Sequence, residues 1–533
     1  MRQILKAPSN SQKIPNFASH NRTAIMARKY PVGLQDFSEV RTGNYMYVDK
    51  THFVEQIATQ SKYYFLSRPR RFGKSLLLST FYYLYLGRKE LFEGLYIYDK
   101  WDWSKKYPII KISFSSISHK EKGLRQAIHD QLDKTAQEYG IVFRENTISS
   151  KFQELIEILH AQQGKVVVLI DEYDKPIIDY LGTPDVNIAI ENREILKSFY
   201  SILKDADPHL ELVFITGVSK FSRVSIFSDL NNLTDLSLDK SFNAICGISQ
   251  IELESNFTEE LQELDTEQIK RWYNGYSFGG ANTVYNPFSL LHFFRGKEFK
   301  NYWFVSGTPT FLINLSRKYE LYDFEAVKIN AQALDVYDIE RLQIIPLMFQ
   351  TGYLTIKSQE TEAITIYTLG YPNLEVKYAY LDMLMTSYTD NDMLIGSVWA
   401  DDLKRALNAG QVEKLESLFN SLFKSIPYEL WQKQNEHYYH AIIHLTFRLL
   451  GIYIESQVHS SDGRLDALVQ TKDYVYCFEF KLGGKAEVAL QQIIDKGYLT
   501  PYLHTGKTCI GIGLNFSKKL KKVEKIVWKE ITD

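Results

Sequence analysis

The chain has 533 residues, more than one ordinary hydrophobic core supports, so about two to four domains are expected. An apolar share of 45% and an aromatic share of 14% exclude a largely disordered chain and argue for packed cores. A formal net charge of −2 excludes a global attraction to nucleic acid, so any such contact must come from local patches.

The three cysteines, Cys246, Cys477 and Cys509, have no short spacing, so they read as reduced buried thiols rather than a disulfide or zinc framework. No apolar run approaches the roughly 18–20 residues of a membrane-spanning helix, and a cytoplasmic protein with no membrane contact is expected. Residues 1–27 read as an extension. They lack acidic residues, and Met26-Ala27-Arg28-Lys29-Tyr30 looks like a natural start.

From residue 28 to about 245 the pattern predicts an α/β domain. A helix opens after Val48-Asp49-Lys50-Thr51, followed by a buried strand over Tyr63–Ser67 and an apolar helix over Leu76–Leu86. Further strands are predicted at Ile109–Phe114, Val166–Ile170 and Leu210–Thr216. Helices fall at Leu124–Tyr139, Phe152–His160 and Arg193–Lys204. Strands alternating with helices predict a parallel sheet covered on both faces.

Residues 246–427 read as a helical connector. A helix ends at Trp272, an aromatic turn runs from Tyr273 to Gly280, and Asn286-Pro287 caps the next helix. A helix from Ile339 to Met348 precedes two short runs, Tyr353–Lys357 and Ala363–Thr368. That arrangement is compatible with a winged helix and equally with a lone hairpin packed on helices. Helices are expected from about 373 to 425. The last block, 428–533, reads as helix, three strands, helix and strand, and its lysine-rich end as a solvated surface or a phosphate-backbone contact.

Two constellations carry chemistry. Gly73-Lys74-Ser75 lies between the first strand and its helix, where backbone N–H groups, a lysine and a hydroxyl can cradle nucleotide phosphates and Mg²⁺. Arg68 stands where such loops usually begin with glycine and counts among the candidates for nucleotide contact. Asp171 and Glu172 end an apolar strand, placing one acid for Mg²⁺ and one for the attacking water, or merely closing the strand. Ser219 and Arg71 are further candidates for nucleotide contact, and Arg223 for charge stabilisation; each has a bland surface alternative.

In the C-terminal block, Asp466 precedes a strand that closes with Glu479-Phe480-Lys481. Alternation sets Glu479 and Lys481 on one face, where the two carboxylates could bind Mg²⁺ or Mn²⁺ and the lysine could position water. The alternative is a salt-bridge cluster on an inactive fold. Glu436 is a third candidate metal ligand or a helix cap, and Gln492 a neighbour on the following helix. The histidines at 437, 440 and 444 lack the intervening acid of a zinc protease and read as helix packing.

Tyr30-Pro31-Val32-Gly33, Val48-Asp49-Lys50-Thr51, Arg68 through Ser75, Ile170-Asp171-Glu172-Tyr173-Asp174, Phe221 through Leu233 and Trp272-Tyr273-Asn274-Gly275-Tyr276 together resemble the bacterial AAA-ATPase-like family. The resemblance spans roughly residues 28–530 and implies a P-loop ATPase-like region joined to a C-terminal nuclease-like domain of the PD-(D/E)XK superfamily, with its restriction-endonuclease-like α/β fold. It implies that Arg68 in place of glycine is the family's habit. It also matches Gly463-Arg464-Leu465-Asp466, Glu479-Phe480-Lys481 and Ala489-Leu490-Gln491-Gln492-Ile493 with Tyr498 to the family's nuclease motifs. The expected function is ATP binding coupled to Mg²⁺-dependent cleavage of nucleic acid, DNA before RNA. The alternative is a nucleotide-switched nucleic-acid binder or scaffold.

Overall fold

The computed structural model describes residues 29–220, 226–227, 230, 232–279, 282–304, 310–319, 321, 324–335, 343–389, 395–424, 442, 445–451, 458–461, 465–517, 519–520 and 522–532. Among these, no helix is long and apolar enough to cross a membrane. The N-terminal sheet contains β1 (Tyr63–Ser67), β2 (Ile109–Ser113), β3 (Val166–Asp171), β4 (Leu210–Gly217) and β5 (Thr234–Asp235), in the order β2-β3-β4-β1-β5. All of its pairings are parallel. Every residue of β1 and β3 is buried, which is why these strands read as continuous apolar runs rather than alternating ones.

The Val48–Thr51 segment acts as a structural staple. Asp49 accepts from the Thr51 amide (2.8 Å) and hydroxyl (2.7 Å), while Lys50, nearly buried, pairs with Glu252 at 2.6 Å and donates to the Ala244 carbonyl at 2.8 Å. A short ribbon, β6 (Ile248–Ser249) with β7 (Val284–Tyr285), leads into the helix Pro287–Gly296. Its cap is the predicted one: the Asn286 side chain accepts from the amides of Phe288 and Ser289.

The connector then runs helix Thr310–Lys318, β8 (Val327–Asn330), helix Ala331–Asp335, helix Ile344–Thr351, and the hairpin β9 (Thr355–Thr361) and β10 (Thr365–Gly370). The sheet order is β8-β10-β9, an order compatible with a winged helix and equally with a hairpin packed on helices. The sequence reading missed β8, whose residues alternate between partial and full exposure without a buried apolar face. It also began the third helix at Ile339, whereas the described helix starts at Ile344 and 336–342 lie outside the described residues.

Helices Leu374–Thr389, Ile395–Asn408 and Leu415–Lys424 follow as expected. The C-terminal sheet orders β11 (Val458–Ser461), β12 (Leu465–Gln470), β13 (Tyr474–Leu482), β14 (Thr508–Ser517) and β15 (Lys522–Glu530) in sequence. Two corrections arise here. Ser460 and Ser461, read as a turn, belong to β11. The lysine-rich end forms β15, antiparallel to β14, because Val523 and the partly buried Ile526 and Val527 supply an apolar side beneath the exposed lysines.

Helix Ala486–Lys496 lies flat over β14. A Cβ added at Gly513 would sit 2.3 Å from the Ala486 carbonyl oxygen and 2.6 Å from the Leu490 amide. Gly513→Ala should therefore push this helix off the sheet and destabilise the chain by about 1–3 kcal/mol, read as a lowered melting temperature. Unchanged melting would contradict the close approach.

Glu375 is fully buried and joins the connector to the helix Pro287–Gly296 and to Trp303. Its carboxylate accepts from Ser289 Oγ (3.0 Å) and the Trp303 amide (2.8 Å). Burial pushes its pKa up to about 8. An unfolded carboxyl titrates near ~4.3, so the folded chain holds this proton more tightly and stability is lost as pH rises from there through 8. Glu375→Gln should flatten the fall of melting temperature across that window; parallel slopes for variant and wild type would contradict the assignment.

Candidate functional site

At the carboxyl edge of the parallel sheet, β1 delivers the loop Arg68–Phe72 and Gly73 starts the helix Lys74–Tyr85 with φ +94°. Arg71 is also left-handed (φ +69°), a costly conformation for a residue with a Cβ and one that clusters at functional sites. Ser75 Oγ donates to Asp171 Oδ2 at 2.6 Å, and Thr216 Oγ1, from the end of β4, donates to Asp171 Oδ1 at 2.6 Å. One carboxylate thus ties the loop helix, β3 and β4 together.

Lys74 is buried, its ammonium donating to the carbonyls of Arg68 (2.8 Å) and Pro69 (3.0 Å). Burial lowers its pKa, and the neighbouring Glu172 and Asp171 oppose that shift. Glu172 follows β3 with φ +51°; burial raises its pKa while Lys74 lowers it. Arg70, Arg71, Gly73, Lys74, Ser75 and Glu172 line a cavity of about 380 Å³. An apolar recess of about 100 Å³ shares Pro31, Gly73, Leu76, Pro287 and Leu291 with it. The Arg71 guanidinium lies 5.0 Å from the Phe288 ring centre, which holds it at the cavity wall.

Two sequence candidates fall elsewhere. Arg68 is fully buried, donating to the carbonyls of Ser67 (2.9 Å), Ser237 (2.8 Å) and Phe242 (3.0 Å), with Phe278 stacked 4.2 Å away. Burial lowers its pKa to about 10. It anchors the loop from beneath and does not line the cavity. Ser219 is likewise buried, and its hydroxyl (2.6 Å) and amide (2.6 Å) both donate to Asp174 Oδ2.

Asp174, absent from the sequence candidates, receives the Val218 amide at 3.0 Å as well, while Tyr173 OH donates to the Ser219 carbonyl at 3.0 Å. These bonds lock the turn after β3 to the turn after β4. Arg223 lies outside the described residues.

A second missed contact joins this edge to the connector. Trp303 Nε1 donates to the Arg70 carbonyl (3.0 Å), and Gln350, on the helix Ile344–Thr351, accepts from the Lys220 amide (3.0 Å). No local signal marks either residue; both partners are more than a hundred positions away in sequence.

In the C-terminal sheet, Glu479 and Lys481 share one face of β13. Lys481 Nζ lies 3.1 Å from Glu479 Oε1 and donates to Gln492 Oε1 at 2.7 Å. Glu479 is buried, a costly place for a carboxylate without a cation beside it. β12 pairs antiparallel with β13, Ala467 opposite Phe478 and Leu468 opposite Cys477, and Asp466 is the β12 residue just before that register. Tyr498 packs with Leu468, Val475 and Cys477 in a small core and is not among the bonded partners of Glu479 and Lys481. Glu436, Gly463, Arg464 and the histidines at 437, 440 and 444 lie outside the described residues.

The opposite face of β13 is held by the connector and by Phe447 of the C-terminal block. Phe480 meets Phe419 at 6.2 Å and Phe447 at 5.7 Å, and Tyr476 OH donates to the Leu407 carbonyl at 2.7 Å.

Comparison with known proteins agrees with this division. A family model described as a predicted AAA-ATPase matches residues 31–227, and one for the PD-(D/E)XK nuclease superfamily matches residues 434–526. The chain is 40% identical over 509 residues to the uncharacterized protein in the vnfD 5′ region of Azotobacter chroococcum mcd 1. The match covers 93% of this chain and 98% of that relative. No solved structure matches it. With a phosphate-loop edge in its N-terminal sheet and a Glu-x-Lys strand in its C-terminal one, the chain belongs to the family of predicted AAA-ATPases joined to a PD-(D/E)XK nuclease superfamily domain.

Proposed function

We propose that this chain binds ATP with Mg²⁺ and that nucleotide state gates a divalent-metal-dependent nuclease acting on nucleic acid, DNA before RNA. The observation that carries the reading is the convergence of Lys74, Ser75, Asp171, Thr216 and Glu172 on one sheet edge. The donor set fits the ligand. A buried ammonium held only by carbonyls, beside a hydroxyl–carboxylate pair, is an arrangement that an anionic phosphate and its cation would complete.

Ser75 and Asp171 would hold Mg²⁺, which neutralises phosphate charge. Lys74 would exchange two carbonyls for phosphate oxygens, and the apolar recess would take the base. Glu172, with its raised pKa, suits a group that orients or deprotonates water. Arg68 and Asp174 act beneath the pocket, fixing loop shape.

In the nuclease half, Asp466 and Glu479 would hold Mg²⁺ or Mn²⁺, which polarises a phosphodiester and acidifies bound water. Lys481, held between Glu479 and Gln492, would position that water. Gating is supported by continuity: the loop edge bonds the connector through Trp303 and Gln350, and connector helices pack against the back of β13.

Lys74→Ala should lose ATP-binding heat in calorimetry, weakening affinity at least about tenfold. Wild-type affinity in that variant would favour a scaffold that binds nucleotide elsewhere or not at all. Lys481→Ala should reduce Mg²⁺-dependent DNA cleavage by at least about a hundredfold with melting unchanged. Absence of cleavage by the wild-type chain would favour the non-cutting binder, and equal cleavage rates with and without ATP would contradict gating.

A further inference from the structure

A second cavity, of about 500 Å³, lies between the ATPase sheet edge and the connector's helix-and-hairpin unit. Its volume falls within the range of roughly 300–1,000 Å³ usual for small-molecule sites, and like many of them it sits at a junction of structural units. The walls are aromatic and aliphatic, chiefly Trp303, Phe304, Phe311, Leu347 and Tyr353. They are preformed: Trp303 and Tyr353 pack at 5.1 Å between ring centres, and the Trp303 indole is fixed by its bond to the Arg70 carbonyl.

The exposed polar side chains that reach this cavity include Arg70 and Asn314. Neither the Arg70 guanidinium nor the Asn314 amide has a hydrogen-bond or ion-pair partner among the described residues. Asp179 also lines the cavity, but its carboxylate is spent on Lys175 (3.1 Å), Lys120 (3.2 Å) and His119 (3.3 Å), which hold its pKa well below the usual carboxylate range against the effect of burial. The uncompensated charge at the cavity is therefore positive.

We propose that this cavity binds a small aromatic anion: a flat apolar body against Trp303 and Tyr353, with one carboxylate or phosphate on Arg70. Arg guanidinium suits such oxyanions through its planar fork. Arg70 also lines the phosphate cavity, so ligand and nucleotide draw on the same cation. Their binding is consequently antagonistic, and by linkage each weakens the other equally.

The test is fluorescence titration of the full chain with 8-anilinonaphthalene-1-sulfonate and with its neutral counterpart N-phenyl-1-naphthylamine. Saturable binding of both probes is expected. Arg70→Gln should weaken the sulfonate about tenfold and leave the neutral probe within about twofold. Asn314→Trp, whose bulk enters from an exposed position, should abolish both while the melting temperature holds. Displacement of the sulfonate by indole-3-acetate assigns a carboxylate ligand, and displacement by thymidine 5′-monophosphate a phosphate one. Unchanged sulfonate affinity in Asn314→Trp, or equal weakening of both probes by Arg70→Gln, would overturn the proposal.

Discussion

The Asp171 carboxylate, shared between Ser75 and Thr216, is the constraint on which the N-terminal half depends. Parallel strands deliver their carboxyl ends to one edge, but nothing in a sheet obliges three neighbouring ends to cooperate. Two 2.6 Å hydrogen bonds accepted by one buried acid do so. They fix where the loop helix begins relative to β3 and β4, and thereby where Lys74 and Glu172 stand. Beneath this pair, Arg68 and Asp174 satisfy carbonyls and amides that would otherwise be buried without partners. The strained residues Arg71 and Glu172 lie on top of that scaffold, where strain is held by the bonds below.

The helix-and-hairpin unit of the connector is turned inward. Its third helix, Ile344–Thr351, carries no charge and is largely buried, and Gln350 bonds the turn after β4. The hairpin presents Glu360 and Glu362 near its tip, a poor surface for a phosphate backbone. This unit therefore packs against the phosphate-loop edge and offers little surface to a nucleic-acid groove. The connector helices beyond it grip β13 from behind through Phe419, beside Phe447 of the C-terminal block, while Glu479 and Lys481 occupy the other face. A shift of the connector would be felt directly by the strand that carries the Glu-x-Lys pair.

Much of this was legible in sequence where the signal is local. β1, β3 and β4 are apolar runs because both faces are covered, and Gly73-Lys74-Ser75 and Glu479-Phe480-Lys481, weak signals alone, gain meaning from the strands and helices beside them. What failed were assignments decided by distant partners. Arg68 looked like a phosphate contact because of its place in the loop, but the carbonyls of Ser237 and Phe242 claim it. Ser219 looked like a sensor, yet Asp174 takes both its hydroxyl and its amide. β15 was hidden because its lysines face solvent and mask a partly apolar strand. Trp303 and Gln350 carry no pattern at all; only the folded chain brings them to the loop.

The most direct test of the central claim is a structure of the chain with Mg²⁺ and a non-hydrolysable ATP analogue. The account predicts the metal between Ser75 and Asp171, and Lys74 released from the Arg68 and Pro69 carbonyls onto phosphate oxygens. Nucleotide bound elsewhere, or Lys74 still on those carbonyls with phosphate present, would contradict it.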